Sequence, residues 1–213
     1  MVILMNSKNS KTSIQETRAF IIGNGKSRNE FDLEQLRPHG EIYGCNALYR
    51  DFEPDWLVAI DDAITEEIKA SNFPKNKFIH PVYEEQFEHP EFNPFTRLRS
   101  NAGMNAMIEA IKRGKRELIC LGFDFIINDN LSVSNMYDGT NAYGPETRTA
   151  IQDNIRRVKY LDWFATKNNV CKIRMILPRI QNLKVHKLNS VNIRGMFVDE
   201  LMSYLNKNVY MEN

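Results

Sequence analysis

The run Phe20-Ile21-Ile22-Gly23-Asn24-Gly25-Lys26-Ser27 carries the strongest chemical signal in the chain, because an apolar segment ends in small residues immediately before a polar, helix-starting one. Glycines there let backbone N–H groups approach a ligand unobstructed, and Ser27 can cap a following helix, so amide donors and a positive helix end would face one point. The pattern predicts an anion at that point, by preference a phosphate. It is neither the six-residue glycine fingerprint of dinucleotide folds nor the phosphate loop ending in Gly-Lys-Ser/Thr, since Gly25-Lys26-Ser27 lacks a glycine at the required upstream position. An ordinary tight turn between strand and helix explains the same residues.

Polar or small residues follow the other apolar segments too: Asn46, then Asp61-Asp62, then Gly122-Phe123-Asp124, while Ser100-Asn101-Ala102-Gly103 opens a helical run. Open parallel sheets bind ligands beyond the carboxyl ends of their strands, so these residues would line one crevice. Taken singly each has a structural reading, Asn46 and Asp61 as helix caps and Gly122 as a packing glycine. Joint placement is what points to a site.

Convergence requires elements that bring those ends together. Strand-like runs at 19–22, 41–45, 56–59, 77–80, 118–121 and 172–177 alternate with helix-like ones at 30–36, 63–70, 101–113 and 153–167, which predicts an α/β fold with a parallel sheet and helices on its faces. Residues 84–100 and 126–150 lack periodicity, and the second is a long polar loop of the kind that carries function. A basic tail from Pro178 leads to a helical run, Met196 to Leu205, read as a packing or oligomer helix. The expected organisation is a flexible arm over 1–17, a nucleotide-binding domain over 18–178 with a lid at 126–150, and a helical extension over 179–213.

Composition limits the function classes. With 213 residues and 42% hydrophobic content the chain can bury a substantial core, and a net charge of +1 gives no bulk electrostatic reason to expect nucleic acid or an anionic membrane. Cys45, Cys120 and Cys171 are odd in number, sit in apolar contexts and lack zinc spacing, so buried free thiols in a reducing cytosol are expected. The apolar start is too short for a signal peptide or a spanning helix, which predicts a soluble, cytoplasmic protein with no membrane span.

In order and spacing, Ile21-Ile22-Gly23-Asn24-Gly25-Lys26-Ser27, Gly44-Cys45-Asn46, Arg99-Ser100-Asn101-Ala102-Gly103 and Glu117-Leu118-Ile119-Cys120-Leu121-Gly122-Phe123-Asp124-Phe125 resemble the bacterial sialyltransferases that act on lipooligosaccharide. With Trp56 to Asp61 and Tyr137-Asp138-Gly139-Thr140-Asn141-Ala142-Tyr143-Gly144, the same blocks also resemble a related domain family that includes archaeal hydroxymethylpterin diphosphokinases. The resemblance covers roughly residues 18 to 177. It implies a single doubly wound, Rossmann-like α/β domain with a nucleotide-linked sugar over the strand ends. It also implies that Asn24 and Ser27 contact the phosphate or sugar, Asn46 the nucleotide, and Asn101 to Gly103 the nucleotide near the helix start; Gly23, Gly25, Lys26, Arg99, Ser100, Gly122 and Asp124 complete the expected binding set. Tyr137 and Tyr143 would stabilise the leaving phosphate, since phenol donors neutralise developing charge without a metal.

Two departures weigh against sialic acid as the sugar. The sialyltransferase family places a histidine base before its last long helix, yet the four histidines here are His39, His80, His89 and His186, and Ala102 replaces a hydroxyl residue. The base would then be Asp61, Asp62 or Glu146. Three functions stand open: a glycosyltransferase using a nucleotide-sugar donor and no cofactor, with a glycan, small-molecule or nucleic-acid acceptor; a diphosphotransferase with Mg²⁺ held by Asp61 and Asp124; and a catalytically silent nucleotide-binding module.

Overall fold

A computed structural model of the protein describes residues 14–29, 31–81, 100–127, 135–144 and 150–209. Every residue of strands β1 (Arg18–Ile22) and β5 (Glu117–Leu121) is buried, as expected for parallel strands covered on both faces. Around them lie β2 (Glu41–Cys45), β3 (Trp56–Val58), β4 (Phe78–Ile79), β6 (Lys172–Leu177) and β7 (Ile193–Phe197) in one seven-stranded sheet of order β4-β3-β2-β1-β5-β6-β7. All pairings are parallel, with Ile22 opposite Leu121 and Gly44 at the sheet centre. The chain steps outward from β1 to β4, returns, and steps outward again from β5. This is a doubly wound α/β fold whose switch point lies between β1 and β5.

Alternation along the central strands feeds two cores. Ala19, Ile21, Leu118 and Cys120 pack beneath α3 (Ala102–Lys112) and α4 (Ile151–Lys167). Phe20, Ile22, Ile119 and Leu121 face α2 (Asp62–Ala70), α5 (Val198–Val209) and the 3-10 segments Leu33–His39 and Asn46–Arg50. At the far end of the strands Arg18, 1% exposed, bonds Glu117 at 2.7 Å, with Arg174 and Tyr204 on the same carboxylate. All three cysteines are buried and free, and burial pushes the Cys45 thiol up to about 12.

Several local expectations are corrected. Met196 and Phe197 belong to the edge strand β7 rather than to a helix, and the segment after Pro178 therefore contributes a strand and α5 to the same sheet. The segment expected as a helix over 30–36 is a 3-10 stretch, Leu33–His39, with Pro38 inside it denying a backbone donor. No α-helix follows the glycine turn; Lys26–Arg28 is a single 3-10 turn, too short to supply a helix dipole. Of the expected N-terminal arm, 1–13 lie outside the described residues. Helix α1 (Ile14–Thr17) is tied down through Lys115 Nζ to the Glu16 carbonyl and Arg116 N–H to the Thr17 carbonyl.

Candidate functional site

The β1–β5 pairing continues past the strand ends, where Gly23 N–H donates to the Leu121 carbonyl at 2.8 Å and Gly25 N–H to the Gly122 carbonyl at 3.0 Å. A Cβ on Gly23 would meet the Gly122 carbonyl oxygen at 2.5 Å, and one on Gly122, whose φ is +71°, would meet the Gly23 oxygen at 2.7 Å. These two glycines serve backbone approach at the switch point. Phe123 packs on Gly23 and also on Gly103, joining the α3 start to the same crevice.

The turn already holds an anion, the Asp124 carboxylate. It accepts from Ser27 N–H at 3.0 Å and from the Ser27 hydroxyl. Gly25 has an extended backbone any residue could adopt, but a Cβ there would fall inside that carboxylate. The donors expected to meet a ligand phosphate are thus engaged from within the chain. Burial raises the Asp124 pKa above its ordinary value, while the Ser27 and Lys26 donors and the Arg28 charge pull it partly back. Lys26 and Ser27 instead border a cleft of about 700 Å³, shared with Phe31, Met136 and residues 178–180 beyond β6.

Asn24 and Asn46 do converge, and Tyr143 joins them. The Asn24 side-chain amide donates to the Tyr143 hydroxyl at 3.3 Å, and Asn46 and Ala47 lie near enough to the same hydroxyl to act on its titration. Asn46 sits at φ +51°, a left-handed conformation that Asn tolerates better than most residues and that turns the chain out of β2. The side-chain oxygens of both asparagines are buried and without a partner. Burial raises the Tyr143 phenol well above its ordinary value, with the Asp61 charge adding to the rise, so Tyr143 carries its proton and Asp61 lies within electrostatic reach.

Below this group sits Arg28, 5% exposed. Its Nε donates to the Gly23 carbonyl at 2.6 Å and its Nη2 to the Tyr137 hydroxyl at 3.4 Å. Among the described residues no carboxylate pairs with it directly; Asp51 lies near enough to act on the Tyr137 phenol. Burial and the Asp51 carboxylate push Tyr137 up to about 12. The guanidinium thus lies at the floor of the crevice, within electrostatic reach of Asp124 and Tyr137.

Residues 135–144 are held over the crevice by Arg50. The guanidinium donates to Thr140 Oγ1 at 2.7 Å and the Asn141 carbonyl at 2.9 Å, lies 5.7 Å and 5.9 Å from the Tyr137 and Tyr143 ring centroids, and pairs with Glu67. Met136 N–H adds a bond to the Asn24 carbonyl at 2.8 Å.

No protein-family model and no curated protein matches the chain. A search of solved structures finds the MAf glycosyltransferase from Magnetospirillum magneticum AMB-1 at TM-score 0.49 and 12% identity, over 95% of this chain and 38% of that one. This chain thus spans 38% of the length of that protein's chain. At that level the neighbour adds nothing to the geometry above.

Of the expected site residues, Gly23, Gly25 and Gly122 form the backbone frame, Asp124 locks the turn, and Asn24, Asn46 and Tyr143 meet. Asp61 occupies the N-cap position of α2 without a side-chain cap bond and is exposed, as is Asp62. Asn101 caps α3, its oxygen accepting from Met104 N–H at 3.0 Å, with buried Ser100 beside Asn105. Arg99 and Glu146 lie outside the described residues, as do 128–134 and 145–149 of the expected lid. Asp124 is engaged by Ser27, and among the described residues no group of three or more His, Cys, Asp or Glu side chains converges. Sequence reasoning missed Arg28, Arg50 and Asp51, whose partners are brought near only by the fold.

Proposed function

We propose that the protein is a nucleotide-sugar-dependent glycosyltransferase, with its donor lying over the carboxyl ends of β1, β2 and β5. The observation that carries this reading is the meeting of Asn24, Asn46 and Tyr143 above a buried guanidinium, with two buried amide oxygens left unpartnered. Neutral amides suit the mixed donors and acceptors of a base and ribose, and a fixed cation suits a phosphate. Arg28 supplies the positive potential that the turn amides, engaged by Asp124, do not.

In this reading Asp61 takes the proton of the acceptor hydroxyl as that oxygen attacks the anomeric carbon. The bond from that carbon to the phosphate oxygen breaks, and the departing nucleotide's negative charge is met by the Tyr143 O–H and by Arg28. Sialic acid is not required by these contacts.

The test is release of free nucleotide from a panel of CMP-, UDP- and GDP-sugars, with and without EDTA. Wild type is expected to turn over one donor class irrespective of chelation, and Asp61→Asn to lose at least about tenfold in rate, the ordinary share of a general base, with donor affinity retained. Release from none of the donors, or release only of AMP from ATP with Mg²⁺, would overturn the proposal.

A further inference from the structure

The cleft beside the glycine turn is separate from the crevice, since none of Asn24, Asn46 and Tyr143 borders it. Gly25 pairs with Asn135 in an isolated antiparallel bridge, and Met136 N–H donates to the Asn24 carbonyl at 2.8 Å. From that strip the chain gives Asn24 to the crevice and Lys26, Ser27 and Met136 to the cleft. A volume of about 700 Å³ falls within the range of small-molecule sites, roughly 300–1,000 Å³, which join apolar walls to a few polar groups. Phe31, Met136, Ile180 and Val198 supply the apolar wall here, and Ile180 is 51% exposed, a large aliphatic chain left in water.

Charge narrows the ligand. The lining carries two cations, Lys26 and Arg179, against one carboxylate, Asp199. Arg179 is answered within the chain: its Nε donates to Asp199 at 2.6 Å, its Nη2 lies 3.5 Å from Glu200, and its guanidinium covers the Phe197 ring at 4.1 Å. The Ser27 hydroxyl is likewise spent, on Asp124. Lys26 is exposed on the lining, and among the described residues its ammonium has no hydrogen bond or ion pair. The Asn29 side-chain amide is in the same state among the described residues, three positions along the same turn. An unanswered ammonium and a spare amide donor among aliphatic and aromatic neighbours suit one anionic head on an apolar body.

We propose that this cleft binds a small amphiphilic anion, a carboxylate or phosphate ester on an aliphatic or aromatic body, with Lys26 and Asn29 on the head and Phe31, Met136, Ile180 and Val198 on the body. The site stands whether or not a nucleotide occupies the crevice. Lys26 acts as a point charge, so it serves either head.

Amide chemical shifts followed during titration with hexanoate, hexyl phosphate, hexanol and inorganic phosphate test this on wild type, Lys26→Glu, Ile180→Glu and Lys187→Glu. All three substituted side chains are exposed, and Lys187 lies outside the cleft, so its variant reports bulk charge. One hexyl anion should saturate wild type at least about tenfold more tightly than hexanol or inorganic phosphate, because head and body each contribute. Lys26→Glu and Ile180→Glu should each weaken it about tenfold, and Lys187→Glu by less than about twofold. Tighter binding of hexyl phosphate assigns a phosphate ester, and of hexanoate a carboxylate. No saturable binding of either hexyl anion would overturn the proposal. So would binding that either cleft substitution leaves unchanged, or that Lys187→Glu weakens as much as Lys26→Glu. Nucleotide binding in the crevice is measured apart from these probes and stands or falls by itself.

Discussion

Gly25→Ala should be among the most damaging small substitutions in the chain, even though the backbone at Gly25 suits alanine. The new methyl would occupy the position of the Asp124 carboxylate, which must leave Ser27 N–H and the Ser27 hydroxyl. Losing those charge-assisted bonds from a buried turn costs about 3 kcal/mol, and residual overpacking adds about 1 kcal/mol. The expected destabilisation is about 4 kcal/mol, or roughly 10 °C in melting temperature for a chain of this size. Asp124→Ala alone should cost about 3 kcal/mol by leaving the same donors unpaired. In the double variant the methyl meets no carboxylate, so the total should stay near the cost of Asp124→Ala, giving a coupling of about 4 kcal/mol against additivity. Guanidinium unfolding of the four proteins measures this cycle. A cost below about 1 kcal/mol for Gly25→Ala, or additive single effects, would refute the claim that the turn is closed around Asp124.

Glu117→Gln should destabilise by about 3 kcal/mol, because it leaves Arg18 buried without its counter-charge. The Tyr204 hydroxyl and the Arg18 and Arg174 charges outweigh burial and hold the Glu117 carboxyl below its ordinary value, so its contribution is present above the unfolded value of about 4.3 and is lost as pH falls through the lower folded value. Denaturation from pH 7 downward should show the gap between wild type and variant closing in that acid window; a gap independent of pH would contradict the assignment. Arg28→Met should leave stability within about 1 kcal/mol, since a buried cation without a direct counter-ion is replaced by an apolar chain, while nucleotide affinity drops at least tenfold. Unfolding and binding measured on one preparation separate the two effects, and an unfolded Arg28→Met protein with wild-type nucleotide affinity when refolded would reverse the reading.

The strands nearest the site were legible because their signal is local. β1, β2 and β5 are uninterrupted apolar runs, each closed by Gly or Asn, and a parallel core strand has few other ways to look. β7 was hidden because Arg194 and Gly195 interrupt it and its residues are largely exposed at the sheet edge, so it reads as a basic loop running into the next helix. The crevice followed from topology, since residues after parallel strands must share one edge. What occupies its donors did not: Asp124 reaches Ser27 across 97 positions, and Arg50 reaches Thr140 across 90. Arg28 gave no signal of its own, since every residue from Gly23 to Glu30 is polar, charged or glycine. Its burial comes from the glycine pair at the switch point, which lets the side chain lie against Gly122 and beneath Tyr137.

Thermal unfolding of wild type, Asn24→Ala and Asn46→Gly against CMP, UMP, CDP, UDP, GDP, ATP and their sugar conjugates, with EDTA present, addresses the nucleotide site itself. Glycine at position 46 keeps the left-handed backbone that Asn46 adopts while removing its amide. One nucleotide class should stabilise wild type by about 2.7 kcal/mol at a hundredfold over its dissociation constant. Both variants should melt within a few degrees of wild type and lose that shift. A shift that survives in both variants, or none in wild type with any nucleotide, would contradict a nucleotide site built on Asn24 and Asn46.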